Sequence, residues 1–152
     1  MELRRARPAD LDQVAALDDS FTTDTVLDVV VTADGFTLRP VDVDPPLHKV
    51  FPPDDDPGGT VFVAADGPRV RGFVTADLEH WHRRLVIAQV TVAPGHRGRG
   101  IGRALLDHAC AHGRVHGAST AWLETSSVNV PAVRAYERAG FTLCGLDTTF
   151  YR

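Results

Sequence analysis

Apolar residues along this chain switch between a two-residue and a 3.6-residue rhythm, and the switches outline strands alternating with helices. Glu2–Arg5 predicts a short first strand. Pro8, Ala9 and Asp10 open a helix that sets Leu11, Val14, Ala15 and Leu17 on one face. From Ser20 to about Val50 the rhythm is mixed: a polar turn at Thr22-Thr23-Asp24, a β-branched run at Val29–Val31, then Phe36 to Val43. No element is assigned there. Pro45-Pro46, Pro52-Pro53, Asp54-Asp55-Asp56 and Pro57-Gly58-Gly59 mark loop. The three aspartates predict a solvated turn, with attraction of a cationic substrate as a second reading.

Thr60–Ala65 and Val70–Leu78 predict a hairpin around Asp66-Gly67-Pro68, and Leu85–Val92 predicts the next strand. Ile101, Ala104, Leu105 and Ala109 recur at helical spacing in a helix running to about His116. Ser119–Glu124 predicts a strand, Pro131–Ala139 a helix, and Phe141–Tyr151 a last strand broken at Gly145. No internal repeat is evident.

The chain has 152 residues, 43% of them hydrophobic, enough for one compact domain over 1–152 and short for two. A net charge of −4 gives no bulk attraction to nucleic acid or to an anionic membrane. No apolar run approaches the roughly 20 residues of a membrane helix, and no apolar signal region follows Met1–Arg5. Cys110 and Cys144 read as reduced core residues of a cytoplasmic protein. His80 and His82 lack partners at ligand spacing, so no metal is expected.

Chemistry concentrates at Arg97-Gly98-Arg99-Gly100-Ile101-Gly102, between an apolar strand and an amphipathic helix. Glycines leave backbone N–H groups uncovered, the first helix amides have no internal partner, and Arg97, Arg99 and Arg103 add positive charge. This combination makes a pyrophosphate cradle. A P-loop is excluded because no Gly-Lys-Ser or Gly-Lys-Thr occurs. A dinucleotide turn starts at Gly98-x-Gly100, with Glu124 at the distance of a ribose-binding acid, but Arg103 replaces the third glycine. Arg-x-x-Gly-x-Gly, by contrast, is complete in Arg97, Gly100 and Gly102. A ligand-free surface loop is the remaining option.

A second constellation follows. Asn129 suits a helix N-cap, Pro131 a first turn and Gly140 a C-terminal stop, with Tyr136 one turn beyond Ala132 on the same helix face. Taken alone, Tyr136 reads as an ordinary packed tyrosine.

The Arg97–Gly102 loop together with Asn129-x-x-Ala132-x-x-x-Tyr136-x-x-x-Gly140-Phe141 resembles the GNAT superfamily of N-acetyltransferases. The resemblance narrows at Leu17–Thr25, Asp34–Arg39, Asp44–Pro52, Trp81–Leu85 and Gly140–Thr148, which are similar to the streptothricin (nourseothricin) acetyltransferases over nearly the whole chain. It implies an α/β (α+β) fold: a mixed, mostly antiparallel sheet with splayed central strands and helices on both faces. It also implies acetyl-CoA as donor, a small cationic amine as acceptor, and direct transfer without an acyl-enzyme, conferring antibiotic resistance.

By the same resemblance, Arg97, Gly98, Arg99, Gly100, Ile101, Gly102 and Arg103 hold the pyrophosphate, and the backbone of Val90 and Val92 pairs with the pantetheine. Asn129 and Ala132 lie along that arm, and Tyr136 protonates the leaving thiolate. Glu124 is the first choice of base, with a purely loop-positioning role equally open. Asp77, Glu79, Trp81 and Glu124 are the candidate acceptor contacts. Trp81 either stacks on substrate or covers the sheet edge, and Trp122 is expected in the core.

Resistance enzymes carry acids where this chain has Ala88, Gln89 and Thr91, and their chain continues past Tyr151 into a final strand. The expectation is therefore a missing last strand and an open sheet edge, with pairing in a homodimer as one way to fill the gap. Rival readings are a catalytically weak or non-enzymatic acetyl-CoA-binding protein, a dinucleotide-binding domain, and an enzyme with another amine or a protein acceptor.

Overall fold

The structure, a computed structural model, describes residues 1–53 and 58–150. In chain order it contains β1 (Glu2–Arg5), α1 (Leu11–Ala15), β2 (Phe21–Thr32), β3 (Gly35–Lys49), β4 (Thr60–Asp66), β5 (Arg69–Glu79), β6 (Arg84–Val92), α2 (Ile101–Val115), β7 (Thr120–Leu123) and α3 (Val130–Arg138). A five-stranded sheet has the order β1-β4-β5-β6-β7, and β2 and β3 form a separate two-stranded ribbon. All pairs are antiparallel except β6–β7.

Burial of both sheet faces explains the nearly continuous apolar runs of β4 and β5. On one face Phe62, Ala64, Val74, Ala76, Leu85 and Ile87 pack against Ile101, Leu105, Leu106 and Ala109 of α2. On the other, Val63, Ala65, Val70 and Phe73 pack against Val14 of α1. Leu105 is completely buried, a burial that stabilises the fold by about 1.5–3 kcal/mol. The α1 region is pinned to β1: Asp10 accepts from the Arg4 guanidinium at 2.6 and 3.1 Å and from the Arg7 N–H at 2.7 Å.

One irregularity organises everything downstream. The β5–β6 register runs Thr75↔Gln89 and then Ala76↔Ile87, so Ala88 is an extra residue, a β-bulge. The parallel pairing of β6 with β7 stops at Ile87↔Leu123. Bulge and parting therefore coincide, and from Ala88 to Val92 the β7-facing edge of β6 has no neighbouring strand among the described residues. This is the splayed sheet, with α1 and α2 on opposite faces, that the resemblance implied.

The unassigned stretch from 20 to 50 is the ribbon. β2 buries Phe21, Thr23 and Thr25, two of them polar, the other positions of the ribbon are exposed or half-buried without a full apolar stripe, and β3 contains Pro40, Pro45 and Pro46. Prolines are tolerated because a ribbon strand has a free edge on which no N–H is needed. The expected final strand is a correction: residues 141–150 contain no strand, and Tyr151 lies outside the described residues. A β-prone sequence forms a strand only where a neighbour accepts its backbone bonds, and none pairs with it among the described residues.

Cys144 also departs from expectation, being exposed in this stretch, whereas Cys110 is half-buried on α2. Trp122 is only partly buried, with the Arg84 guanidinium 5.3 Å from its ring centroid. Trp81, 85% exposed, covers no sheet edge. The Asp54–Asp56 turn lies outside the described residues. Among those described, no helix is long and apolar enough to cross a membrane.

Candidate active site

The chain leaves β6 at Val92, is held by the Ala93 N–H donating to the Arg71 carbonyl at 2.7 Å, and makes one 3-10 turn at Pro94–His96. Gly98 (φ +75°) and Gly100 (φ +84°) then occupy the left-handed region, which only glycine enters cheaply, and turn the backbone into α2. Within the protein, the N–H groups of residues 98 to 103 find no acceptor among the described residues, whereas the Ala104 N–H already bonds to the Gly100 carbonyl at 3.0 Å. Six successive unpaired donors at the start of a 15-residue helix form a concentrated anion site.

The arginines divide their work. Arg97 donates to the carbonyls of Val92 (2.9 Å), Ser20 (2.7 Å) and Asp18 (2.8 Å), lashing the α1–β2 loop to the end of β6. Arg103 bonds Asp107 at 3.0 Å and the Arg138 carbonyl at 2.9 Å, joining α2 to the end of α3. Arg99 is exposed, and no protein group among the described residues pairs with it. Arg97 and Arg103 thus build the frame, and the main chain supplies the free donors. Gly102 sits on the inner side of α2, where a Cβ would lie 3.6 Å from Val92.

On α3, the Asn129 side chain caps the helix by accepting from the Ala132 N–H at 3.3 Å. The other end is a complete Schellman turn. Gly140 (φ +97°) donates to Glu137 at 3.0 Å and Phe141 donates to Tyr136 at 3.0 Å. The Phe141 ring meets the Tyr136 ring edge-on at 6.1 Å. Gly140-Phe141 thereby fixes both the backbone and the ring of Tyr136. That ring packs against the α2-side core, burial pushes its phenol pKa up, and its hydroxyl has no protein partner among the described residues. A phenol held protonated with a free O–H can donate a proton.

The acidic candidates separate. Glu124 directly follows Leu123, the last β7 residue paired with β6, and is exposed at the fork without a partner among the described residues. Asp77 pairs in register with Val86, near the fork, and its carboxylate accepts from the Leu78 N–H at 3.0 Å. Glu79 pairs with Arg84, about 13 Å along β6 from the bulge at the usual strand rise. Its carboxylate bonds His82 at 2.8 Å, and Trp81 stacks on that histidine at 3.8 Å. Asp77 and Glu124 are thus brought towards the fork, and Glu79 and Trp81 are not.

The structure also brings Asp19, which no local pattern singles out, to Gln89, one of the positions where the resemblance pointed to missing acids. Gln89 and Thr91 lie on the β6 face opposite α2, where Gln89 Nε2 lies 3.3 Å from Thr91 Oγ1 and 3.5 Å from Asp19 Oδ2. Seventy residues separate Asp19 from Gln89, so nothing in the spacing signals the pair. A groove of about 510 Å³ runs between the ribbon and α3, lined in part by Thr22, Thr23, Asp24, Pro46, Pro131 and Arg134. Among the described residues, no group of three or more His, Cys, Asp or Glu is placed to hold a metal ion.

A strand edge that opens at a bulge, beside a helix start with free amides, suits a long ligand with an anionic end and an extended arm. That is the form of a coenzyme A thioester, and the class is that of the acyl-CoA-dependent acyltransferases. The chain belongs to the acetyltransferase (GNAT) family, whose model matches residues 30–141.

The streptothricin acetyltransferase of Streptomyces lavendulae is 48% identical over 99% of this chain and 86% of the relative. The crystal structure of a nourseothricin acetyltransferase superposes with a TM-score of 0.90 at 52% identity, covering 99% of this chain and 88% of that one. A protein assigned as a streptothricin acetyltransferase from Bacillus anthracis, crystallised with acetyl coenzyme A, has a TM-score of 0.79 at 26% identity, over 95% and 83% of the two chains.

Proposed function

We propose that this chain transfers the acetyl group of acetyl-CoA to an amine of a streptothricin-type antibiotic. The observation that carries the donor half of this reading is the row of unpaired N–H groups from Gly98 to Arg103 beside the parted strands. The acceptor half rests on similarity to the streptothricin and nourseothricin acetyltransferases over 99% of the chain.

The proposed roles follow from position. The amides of residues 98 to 103 bind the pyrophosphate, with Arg99 adding charge and Arg97 and Arg103 bracing the loop. The free β6 edge, from Ala88 through Val90 to Val92, pairs with the pantetheine, and Asn129 and Ala132 border it at the start of α3. When bound, the thioester supplies an electrophilic carbonyl and a thiolate leaving group. A backbone N–H at the bulge stabilises negative charge on the carbonyl oxygen, and Tyr136 gives its proton to the sulfur.

An attacking amine of pKa near 10 is mostly protonated at neutral pH. Glu124, exposed at the fork, pairs with that cation and passes the proton to water, with Asp77 adding negative charge nearby. Glu79 and Trp81 contribute to acceptor binding only if the acceptor reaches the end of the β5–β6 hairpin. In the same reading residues 1–152 act as one domain in the cytoplasm, and the outer edge of β7, last in the sheet, is where a second copy would pair.

The absence of acidic side chains at Ala88, Gln89 and Thr91 favours one alternative, a family member acting on a different amine or a protein acceptor. A thiol-release assay with streptothricin and an amine panel separates the two readings. Tyr136→Phe is expected to lose about 10²-fold or more in turnover with acetyl-CoA affinity retained. Unchanged turnover would reject the proton-donor role.

A further inference from the structure

We infer that Asp19 is an acceptor-binding carboxylate of this enzyme, reaching the fork from the α1–β2 loop to pair with the cationic amine of the substrate. The inference rests on the acetyl-transfer reading above, and on four observations independent of it.

The first is location. Gln89, whose side chain meets Asp19, is the residue next to the Ala88 bulge and lies just beyond the last β6–β7 pair. Asp19 is thereby held on the sheet face opposite α2, beside the unpaired stretch of β6.

The second is an unsatisfied charge. Asp19 is half-buried, yet no cation pairs with it among the described residues. Its contact with Gln89 is long at 3.5 Å, and a carboxylate has room for about four hydrogen bonds. Burial, with a smaller contribution from the Asp18 charge, pushes its carboxyl pKa up, and its own N–H and the Arg97 charge offset this only in part. A half-buried carboxylate without a cationic partner is costly unless a ligand supplies the cation.

The third is that the nearest guanidinium is occupied elsewhere. Arg97 grips the carbonyls of Asp18 and Ser20, the residues on either side of Asp19, as well as that of Val92. It fixes the backbone around Asp19 without directing a hydrogen bond at the carboxylate. The loop that cradles the donor thus also positions the carboxylate for the acceptor, and Arg97 acts as a positioning residue.

The fourth is closeness along the chain to open space. Three residues beyond Asp19, Thr22–Asp24 line the groove between the ribbon and α3.

The test uses the full chain saturated with coenzyme A, titrated with streptothricin by calorimetry. Asp19→Asn keeps the side-chain shape and removes the charge. Its affinity for streptothricin is expected to fall about 10- to 100-fold, as for a lost charged hydrogen bond, with acetyl-CoA affinity unchanged. Asp18→Asn, which removes the same net charge from an exposed neighbour bonded to the Ser20 N–H, serves as control and keeps wild-type affinity.

Equal binding by Asp19→Asn and wild type, an equal loss in Asp18→Asn, or no streptothricin binding by the wild type would each overturn the inference. The thiol-release assay reports separately on the reaction. A wild type that binds streptothricin through Asp19 but releases no thiol sinks the proposed function alone. One that turns over with Asp19→Asn unaffected sinks the Asp19 assignment alone.

Discussion

Gly100 is where backbone geometry and ligand chemistry can be pulled apart. Its φ of +84° carries the chain into α2, and a Cβ built there meets no atom within 4 Å. The folding cost of Gly100→Ala is therefore the intrinsic cost of a left-handed non-glycine residue, about 1–2 kcal/mol. For a chain of this length that lowers Tm by about 2–8 °C. Gly117, just past the other end of α2, has a φ of +96° and an equally open Cβ position. Gly117→Ala carries the same folding cost far from the cradle.

The two variants differ only in what the added methyl covers. At Gly100 it stands among the six unpaired donors, where displacing one charged hydrogen bond costs about 1.5–3 kcal/mol, or roughly 10- to 150-fold in Kd. Thermal melts without ligand and calorimetric titration with acetyl-CoA should give matched Tm losses and a selective affinity loss for Gly100→Ala. Equal acetyl-CoA affinity in the two variants would refute the assignment of the pyrophosphate to this helix start.

Three further outcomes are expected. Leu105→Ala, at a completely buried site between α2 and the sheet, should lower unfolding stability by about 2–5 kcal/mol in urea titrations. Arg4 and the Arg7 N–H hold the Asp10 carboxyl at a pKa of about 2, below its ordinary 3.8. Its contribution is thus full above the unfolded value and lost as pH falls from about 4 towards 2, so urea midpoints of Asp10→Asn should converge on wild type across that window. Phe141→Ala keeps the Schellman backbone bonds but removes the edge contact to Tyr136. Turnover should fall about 2- to 10-fold with acetyl-CoA affinity unchanged, and an unaltered turnover would separate Phe141 from the positioning of Tyr136.

The elements that carry the proposed donor site were legible because their signals are local. A strand, two glycines in the left-handed region and a helix lie consecutively in 84–115, and the caps of α3 are written in Asn129, Pro131 and Gly140. The ribbon was not legible, since the buried face of β2 is polar at Thr23 and Thr25 and its other positions form no apolar stripe. The expectation of a strand at Phe141–Tyr151 fell, over its described residues, to the converse: β-prone residues make no strand without a neighbour to bond. Arg97, read as charge for a ligand, turned out to bond three main-chain carbonyls, two of them almost 80 residues away.

Rhythm and glycine placement by themselves determined the order of most elements and the helix start proposed for the diphosphate, because each depends on residues within one or two turns of one another, and two short motifs carried the resemblance to the family. Only the tertiary structure decided that the bulge at Ala88 and the parting of β6 from β7 fall at the same place. Only it brought Asp19 to Gln89 and separated Glu79 and Trp81 from the fork. Strand register and loop docking are set by the packing of the two sheet faces against α1 and α2, a balance of long-range contacts that no local spacing encodes.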